Sequence, residues 1–293
     1  MSSHLASAVR SALDLPNDQR INTLYRRAWI GYELAQSHLA ELEFLLQMPA
    51  RDRPINKLLY GRSDNGKSSI VKLLAIRHPR RILPDGNGEI PVALVLMPSK
   101  PDESEFWSAV LNSMKISHRE NADFKIKRRR ALDILQLYGT RMVVLDEMHN
   151  ILQGTVSAQK HFLTILKNLT LEITIPIVAV GTEDALHTFT TDPQFDTRFD
   201  PLELPGWKDD DRFKRLLASW EKLLPLRQPS HLADPAMATR LHILSDGVIG
   251  GLERVLQQAG RIAINTGEER ITLNILKIVQ PASLSAAVKA KPK

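Results

Sequence analysis

Eight residues constrain this chain more than any other feature. Gly61-Arg62-Ser63-Asp64-Asn65-Gly66-Lys67-Ser68 is a full match to G-x-x-x-x-G-K-[ST]. Its context is the one the chemistry requires, because apolar Lys57 to Tyr60 precedes it as a strand and Ser69 to Arg77 follows as an amphipathic helix ended by Pro79. Glycines at both ends let backbone N–H groups wrap a phosphate, and the helix N-terminus adds a favourable dipole. Lys67 is then placed to reach the β- and γ-phosphates of ATP, and Ser68 to hold Mg²⁺, with Ser69 opening the helix.

A strand–loop–helix of this kind belongs to a larger alternation. Lys57 to Tyr60, Pro91 to Met97, Arg141 to Leu145, Ile175 to Val180 and Phe199 to Leu204 read as short apolar strands, with helical stretches between them. That pattern signals βαβ units and an α/β fold with a parallel five-stranded sheet covered by helices. Before it, Ala35, Leu39, Leu42 and Leu46 share one face of a helix that Pro49 and Pro54 close off. After it, Asp209 to Leu224, Pro235 to Leu244 and Val248 to Thr266 read as helices. The expected organisation is an N-terminal helical extension (1–54), a nucleotide-binding core (55–206), a small helical lid (207–280) and a basic tail (281–293) expected to be disordered for want of apolar residues to bury.

Two acids follow the third strand in Met142-Val143-Val144-Leu145-Asp146-Glu147. Asp146, at the C-terminal edge of a buried strand, suits the Mg²⁺ shell, and Glu147 suits the activation of a water for attack on the γ-phosphate, so the pair implies hydrolysis beyond binding. His149 reads as a loop histidine with a local hydrogen bond, or as a sensor of substrate or DNA. Thr182, at the end of the next strand, has two compatible readings: holding the attacking water, or capping the helix that starts at Glu183. Arg198, immediately before the last strand, is placed either to reach a neighbouring subunit's γ-phosphate or to pair with Asp196 or Asp200. Arg254 either contacts the nucleotide or is a solvated helix arginine.

Charge and cysteine content narrow the class. The 293 residues carry 39 Lys+Arg against 33 Asp+Glu, a net +6 and a pI near 9.5. The absence of cysteine excludes disulfide scaffolds, Cys-based zinc sites, iron–sulfur clusters and thiol nucleophiles. With no signal-like apolar segment and no run of about 18 apolar residues, a cytoplasmic protein without a membrane span is expected.

The P-loop, the Asp146-Glu147 strand, Thr182, Arg198 and the helical C-terminal part together resemble the AAA+ ATPases. More narrowly, Arg27-Ala28-Trp29-Ile30-Gly31-Tyr32, the D-E-x-H-N run at Asp146 to Asn150, Val180 to Ala185, Arg198-Phe199-x-Pro201 and Leu224-Pro225-Leu226-Arg227 resemble the TniB family of transposition regulators, related to TnsC. The resemblance spans about Ile21 to Ile278. It implies a bacterial, nucleoid-associated, ATP-dependent oligomer, a ring or helical filament, that binds double-stranded DNA and recruits a DDE transposase (TniA/TnsB-like) and a TniQ-like targeting protein. Between Lys115 and Arg130 stand seven basic residues (Lys115, Arg119, Lys125, Lys127, Arg128, Arg129, Arg130) against two acids, Glu120 and Asp123. In many AAA+ assemblies, helices inserted between the second and third strands face a central channel. By that likeness Lys125, Lys127, Arg128, Arg129 and Arg130, with Lys100 just past the second strand, are the expected DNA contacts, made to phosphates rather than bases. The run also reads as an ordinary solvated helix face. Two other functions share parts of the pattern: a helicase loader, which has the same core, and a small-molecule P-loop kinase, against which Glu147 and the separate helical part argue.

Overall fold

The computed structural model describes residues 4–26, 29–190, 195, 197–283 and 287. In chain order the helices are α1 (Ser7–Arg10), α2 (Asn17–Leu24), α3 (Glu33–Gln47), α4 (Lys67–Arg77), α5 (Glu103–Ser113), α6 (Phe124–Leu137), α7 (Val156–Glu172) and α8 (Glu183–Thr190), then α9 (Asp211–Glu221), α10 (Pro235–Ser245), α11 (Ile249–Thr266) and α12 (Leu273–Ile278). The strands are β1 (Asn56–Tyr60), β2 (Arg81–Ile82), β3 (Gly88–Glu89), β4 (Val92–Leu96), β5 (Met142–Asp146), β6 (Ile177–Gly181) and β7 (Phe199–Glu203). Two compact units contain them, one of Glu33–Arg62 and Lys67–Leu204, the other of Met1–Tyr32, Ser63–Gly66 and Pro205–Lys293. These units cut across the four expected segments. The N-terminal stretch divides at Tyr32, since α3 packs beside α4 in the first unit while α2 packs on α11 in the second.

The first unit is built on a five-stranded parallel sheet in the order β4-β5-β6-β1-β7. β5 and β6 are buried along their whole length, which is why they read as unbroken apolar runs rather than alternating ones. Phe106, Trp107 and Phe162, from α5 and α7, fill one region of the core with edge-to-face ring contacts at 4.9 and 5.4 Å. α3 buries Ala35, Leu39, Leu42 and Leu46 as its spacing requires. The hairpin β2–β3 escapes the sequence pattern because its strands are two residues long, too short to show a period.

The second unit is helical. Leu217, Leu241, Leu252, Leu256 and Ala259 are fully buried at its centre. Gly260 of α11 receives Leu24 of α2: a Cβ there would stand 3.1 Å from the leucine methyls. Arg20 of α2 is 0% exposed and donates to Glu269 Oε2 at 2.9 Å and to Asn17 Oδ1 at 3.1 Å. Arg227 also pairs with Glu269, at 3.6 Å, and donates to Leu13 O at 2.9 Å. Helix α12, six residues capped by the Thr272 hydroxyl, is a further element the pattern does not announce. Most of the tail, residues 284–286 and 288–293, lies outside the described residues, as do Arg27 and Ala28 of the Arg27–Tyr32 motif. No described helix is long and apolar enough to cross a membrane.

Candidate nucleotide and DNA sites

β1 runs straight into the loop of Gly61 to Ser68, and its neighbour β7 lies alongside. Leu204 N donates to Tyr60 O at 2.7 Å, and a Cβ on Gly61 would meet Leu204 O at 2.1 Å, so only glycine fits. Gly61 and Gly66 take φ of +151° and +92°, and Asp64 sits in the left-handed region at +60°. Tyr60 closes the strand with a phenol pushed up by burial and then by the charge and hydrogen bond of Glu203 and the charge of Glu183.

Lys67 is 8% exposed and folds back on its own loop, where Nζ donates to Gly61 O at 2.8 Å and Arg62 O at 2.6 Å. A buried ammonium held by loop carbonyls fits an incoming phosphate anion, which would supply the countercharge. Ser68 Oγ donates to Asp146 Oδ1 at 3.1 Å. A hydroxyl and a carboxylate are hard oxygen donors of the sort Mg²⁺ takes, in a site completed by phosphates and water. No group of three or more acid, His or Cys side chains able to hold a metal occurs among the described residues.

Glu147 leaves β5 in a left-handed conformation, φ 64° and ψ 41°. Its N–H donates to Asp146 Oδ1 at 3.0 Å, and its carboxylate Oε2 lies 3.3 Å from His149 Nδ1. Asn150 N donates to Glu147 O at 3.0 Å, and Asn150 Nδ2 to Met97 O at 3.3 Å. Thr182 follows β6. Its Oγ1 is buried without a hydrogen-bond partner among the described residues, and only its carbonyl serves α8, accepting from Ala185 N at 3.1 Å. The side-chain capping of α8 expected as one reading is therefore not made, and the hydroxyl is left for another bond.

Arg198 is half-buried before β7 and donates to Thr170 Oγ1 at a long 3.5 Å. Asp200, one of its expected partners, pairs instead with Lys57 at 3.2 Å, and Asp196, the other, lies outside the described residues. Burial would lower the Lys57 amine, but hydrogen bonds and charges from Glu41 and Asp200 outweigh it and raise the amine overall.

In the helical unit, Arg254 of α11 donates to Asp64 Oδ2. Gly250 N donates to Asp64 O at 3.0 Å, and a Cβ on Gly250 would lie 2.1 Å from the Asp64 carboxylate. Neither the solvated nor the nucleotide-contacting reading of Arg254 foresaw this pair with the loop itself. Asn65, also in the loop, donates to Pro205 O at 2.8 Å. Of the other motif residues, Tyr32 packs edge-on to Trp207 at 4.8 Å, and burial raises its phenol.

The basic run divides. Helix α6 is started by Asp123, whose carboxylate accepts from Lys125 N at 2.8 Å. Lys125, Arg129 and Arg130 are exposed and line an open depression of about 700 Å³ with Ile126, Asp133 and Ile134. Lys100, Lys115 and Arg119 are exposed as well. Lys127, expected among the DNA contacts, is corrected: it points into the fold, 3% exposed, with Nζ donating to Ser104 Oγ at 2.9 Å and Glu120 O at 2.5 Å. Its position around the helix axis, on the face of Ala131 and Leu135, turns it away from the solvent side, a distinction that a list of charges does not carry. Arg128 is tied to Glu172 and lies over the Trp107 ring at 6.0 Å.

Comparison with known proteins gives the same fold. None of the curated proteins matches the chain. Among solved structures, the Aeropyrum pernix ORC2 protein, solved as ADPNP–ADP complexes, aligns with a TM-score of 0.57 at 15% identity over 87% of this chain and 70% of its own. Cdc6p from Pyrobaculum aerophilum aligns at 0.62 and 16% identity over 85% of this chain and 68% of its own. The A. pernix ORC1 protein, solved in complex with DNA, aligns at 0.54 and 15% identity over 87% and 67%. These likenesses and the sheet order place the core among the AAA+ P-loop α/β folds. The family model described as "Bacterial TniB protein" matches residues 20–209, well over half of the sequence, and the chain belongs to the TniB family.

Proposed function

We propose that this chain is a Mg²⁺-dependent ATPase that oligomerises on double-stranded DNA without reading sequence, and that it recruits or activates a DDE transposase together with a TniQ-like targeting partner. The observation that carries the nucleotide half is the buried Lys67 amine on its loop carbonyls, beside the Ser68–Asp146 bond. Loop N–H groups from Gly61, Arg62, Ser63, Asp64, Asn65 and Gly66, with Lys67, Ser68 and Ser69, bind the phosphates of ATP. Ser68 and Asp146 hold Mg²⁺, which when bound neutralises phosphate charge. Glu147 accepts a proton from water as the water oxygen bonds to the γ-phosphorus, and the bond from that phosphorus to the bridging oxygen breaks with its electron pair leaving on ADP. The free Thr182 hydroxyl suits the holding of that water. Arg198, weakly engaged, serves a neighbouring subunit's γ-phosphate. Arg254, one nitrogen of which is held by Asp64, is the nucleotide contact from α11.

The DNA half rests on Lys100, Lys125, Arg129 and Arg130, whose heads are solvent-facing, with Arg128 contributing when released from Glu172. The ORC1 neighbour was solved with DNA and the ORC2 neighbour with ADPNP, which accords with this reading. Membership of the TniB family supports transposition as the setting and a bacterial cytoplasm, at the nucleoid, as the place. The domain roles proposed are a nucleotide-binding core over 55–206, a lid over 207–280, an N-terminal extension over 1–54 whose α3 packs with the core and whose α2 packs with the helical unit, and a basic tail over 281–293. Negative-stain imaging with duplex DNA and a non-hydrolysable ATP analogue tests the whole reading. Nucleotide-dependent rings or filaments on DNA are expected, and bare DNA at saturating protein and analogue overturns it.

A further inference from the structure

We propose that His149 is a positioning residue for ATP hydrolysis: its imidazole holds one oxygen of the Glu147 carboxylate, Oε2, so that Oε1 is presented to water. This rests on the reading of Glu147 as the acceptor of water's proton. The geometry begins in the backbone. Glu147 occupies the left-handed region, which a residue with a Cβ rarely adopts and which persists only where surrounding contacts enforce it. Here they do. Its N–H is bound to Asp146 Oδ1, its carbonyl accepts from Asn150 N, and the Asn150 side chain is anchored on Met97 O beyond β4. The turn also packs on the end of β6 at Gly181, where a Cβ would stand 3.4 Å from Met148 Cβ and 2.7 Å from Ala185 Cβ.

The left-handed residue turns the chain so that side chains 147 and 149, which diverge in a helix, come together with Nδ1 and Oε2 3.3 Å apart. Both side chains remain partly open, 42% exposed for Glu147 and 32% for His149, so solvent reaches the carboxylate while its Oε2 lies beside the imidazole. Glutamate is long and rotamer-rich. Without a donor it samples orientations that miss the attacking water, whereas an imidazole whose Nδ1 donates to Oε2 orders it before substrate arrives. His149 touches neither ATP nor the reacting water in this role; it acts through Glu147.

The test compares wild type, His149→Leu and His149→Asn in steady-state ATP hydrolysis with duplex DNA, together with direct binding of a non-hydrolysable ATP analogue. Leucine keeps bulk and loses the donor, and asparagine returns an N–H close to the position of Nδ1. The leucine variant is expected to lose about 10- to 100-fold in kcat, with KM and analogue binding within about twofold of wild type. The asparagine variant is expected to regain most of that loss. Unchanged kcat in His149→Leu, an asparagine variant as slow as leucine, or weakened analogue binding in step with kcat each overturns the positioning role. Wild-type protein that binds the analogue yet never turns over ATP brings down hydrolysis itself and this proposal with it, a result distinct from the other three.

Discussion

Lys67 and Lys127 are both buried amines, 8% and 3% exposed, and each donates to two oxygens. The resemblance ends there. Lys67 bonds to carbonyls five and six residues back in its own loop, beside glycines whose conformations open N–H groups to a ligand. Lys127 ties α6 to Ser104 at the start of α5 and to Glu120 in the turn before α6, joining parts of the fold to each other. The partners of Lys67 are both carbonyls of its own loop, so on the proposed function a phosphate would take their place. The partners of Lys127 belong to two other segments, so its amine closes a structural seam. Burial of a charge does not by itself tell function from support; the partners' location does.

Substitutions sharpen that difference. The largest effect is expected at Lys67→Ala, with ATP affinity reduced at least about 100-fold, about 2.7 kcal/mol, and thermal stability nearly unchanged. Calorimetric titration and a melting curve on one sample check both halves, and equal ATP affinity would break the assignment of the loop. Lys127→Ala should do the reverse. Losing two hydrogen bonds from a buried ammonium costs about 1–3 kcal/mol of stability, read as a lower denaturant midpoint, while ATP affinity holds. A Lys127→Ala protein as stable as wild type but weak on DNA would return Lys127 to the interface.

Next in size is the joint replacement of Lys125, Arg129 and Arg130 by Ala. Duplex affinity measured over a salt series with a slowly hydrolysed ATP analogue should fall, with the log–log slope shallower by about 0.9 for each phosphate no longer neutralised. An unchanged slope would make this side of α6 a plain solvated face. The smallest effect belongs to Arg254→Ala. Its pair with Asp64 is half exposed on both sides, 48% and 46%, so stability should shift by about 0–1 kcal/mol. A tighter ATP affinity in that variant would mark the pair as a competitor of nucleotide.

The loop at Gly61 is legible because its chemistry is written in residues with few other uses: two glycines with positive φ, a lysine and a hydroxyl, between a strand and a helix. The sheet is legible for a similar reason, since strands buried on both faces must be apolar throughout. Lys127 is not, because its neighbours Lys125, Arg128, Arg129 and Arg130 look identical until the helix phase is set by Ala131 and Leu135 packing inward. The Arg254–Asp64 pair joins positions 190 residues apart, and no local pattern encodes such a meeting. The left-handed turn at Glu147 likewise hides in a sequence that contains no glycine there.

The buried Arg20 has a practical consequence for anyone shortening the chain. Removing the residues before Tyr32 to isolate a minimal ATP-binding fragment would take away the guanidinium that grips Glu269, leave Arg227 as that carboxylate's remaining ionic neighbour among the described residues, and uncover the place on Gly260 where Leu24 sits. A largely buried acid that loses its best hydrogen-bonded cation and keeps only a longer contact with Arg227 costs some part of the about 3–5 kcal/mol of a fully unpaired buried charge, and that is a sizeable share of what holds a domain of this size together. Fragments cut before α2 should therefore be better folded than those cut after it, and replacing Glu269 should recover only part of the difference, because the place of Leu24 stays uncovered.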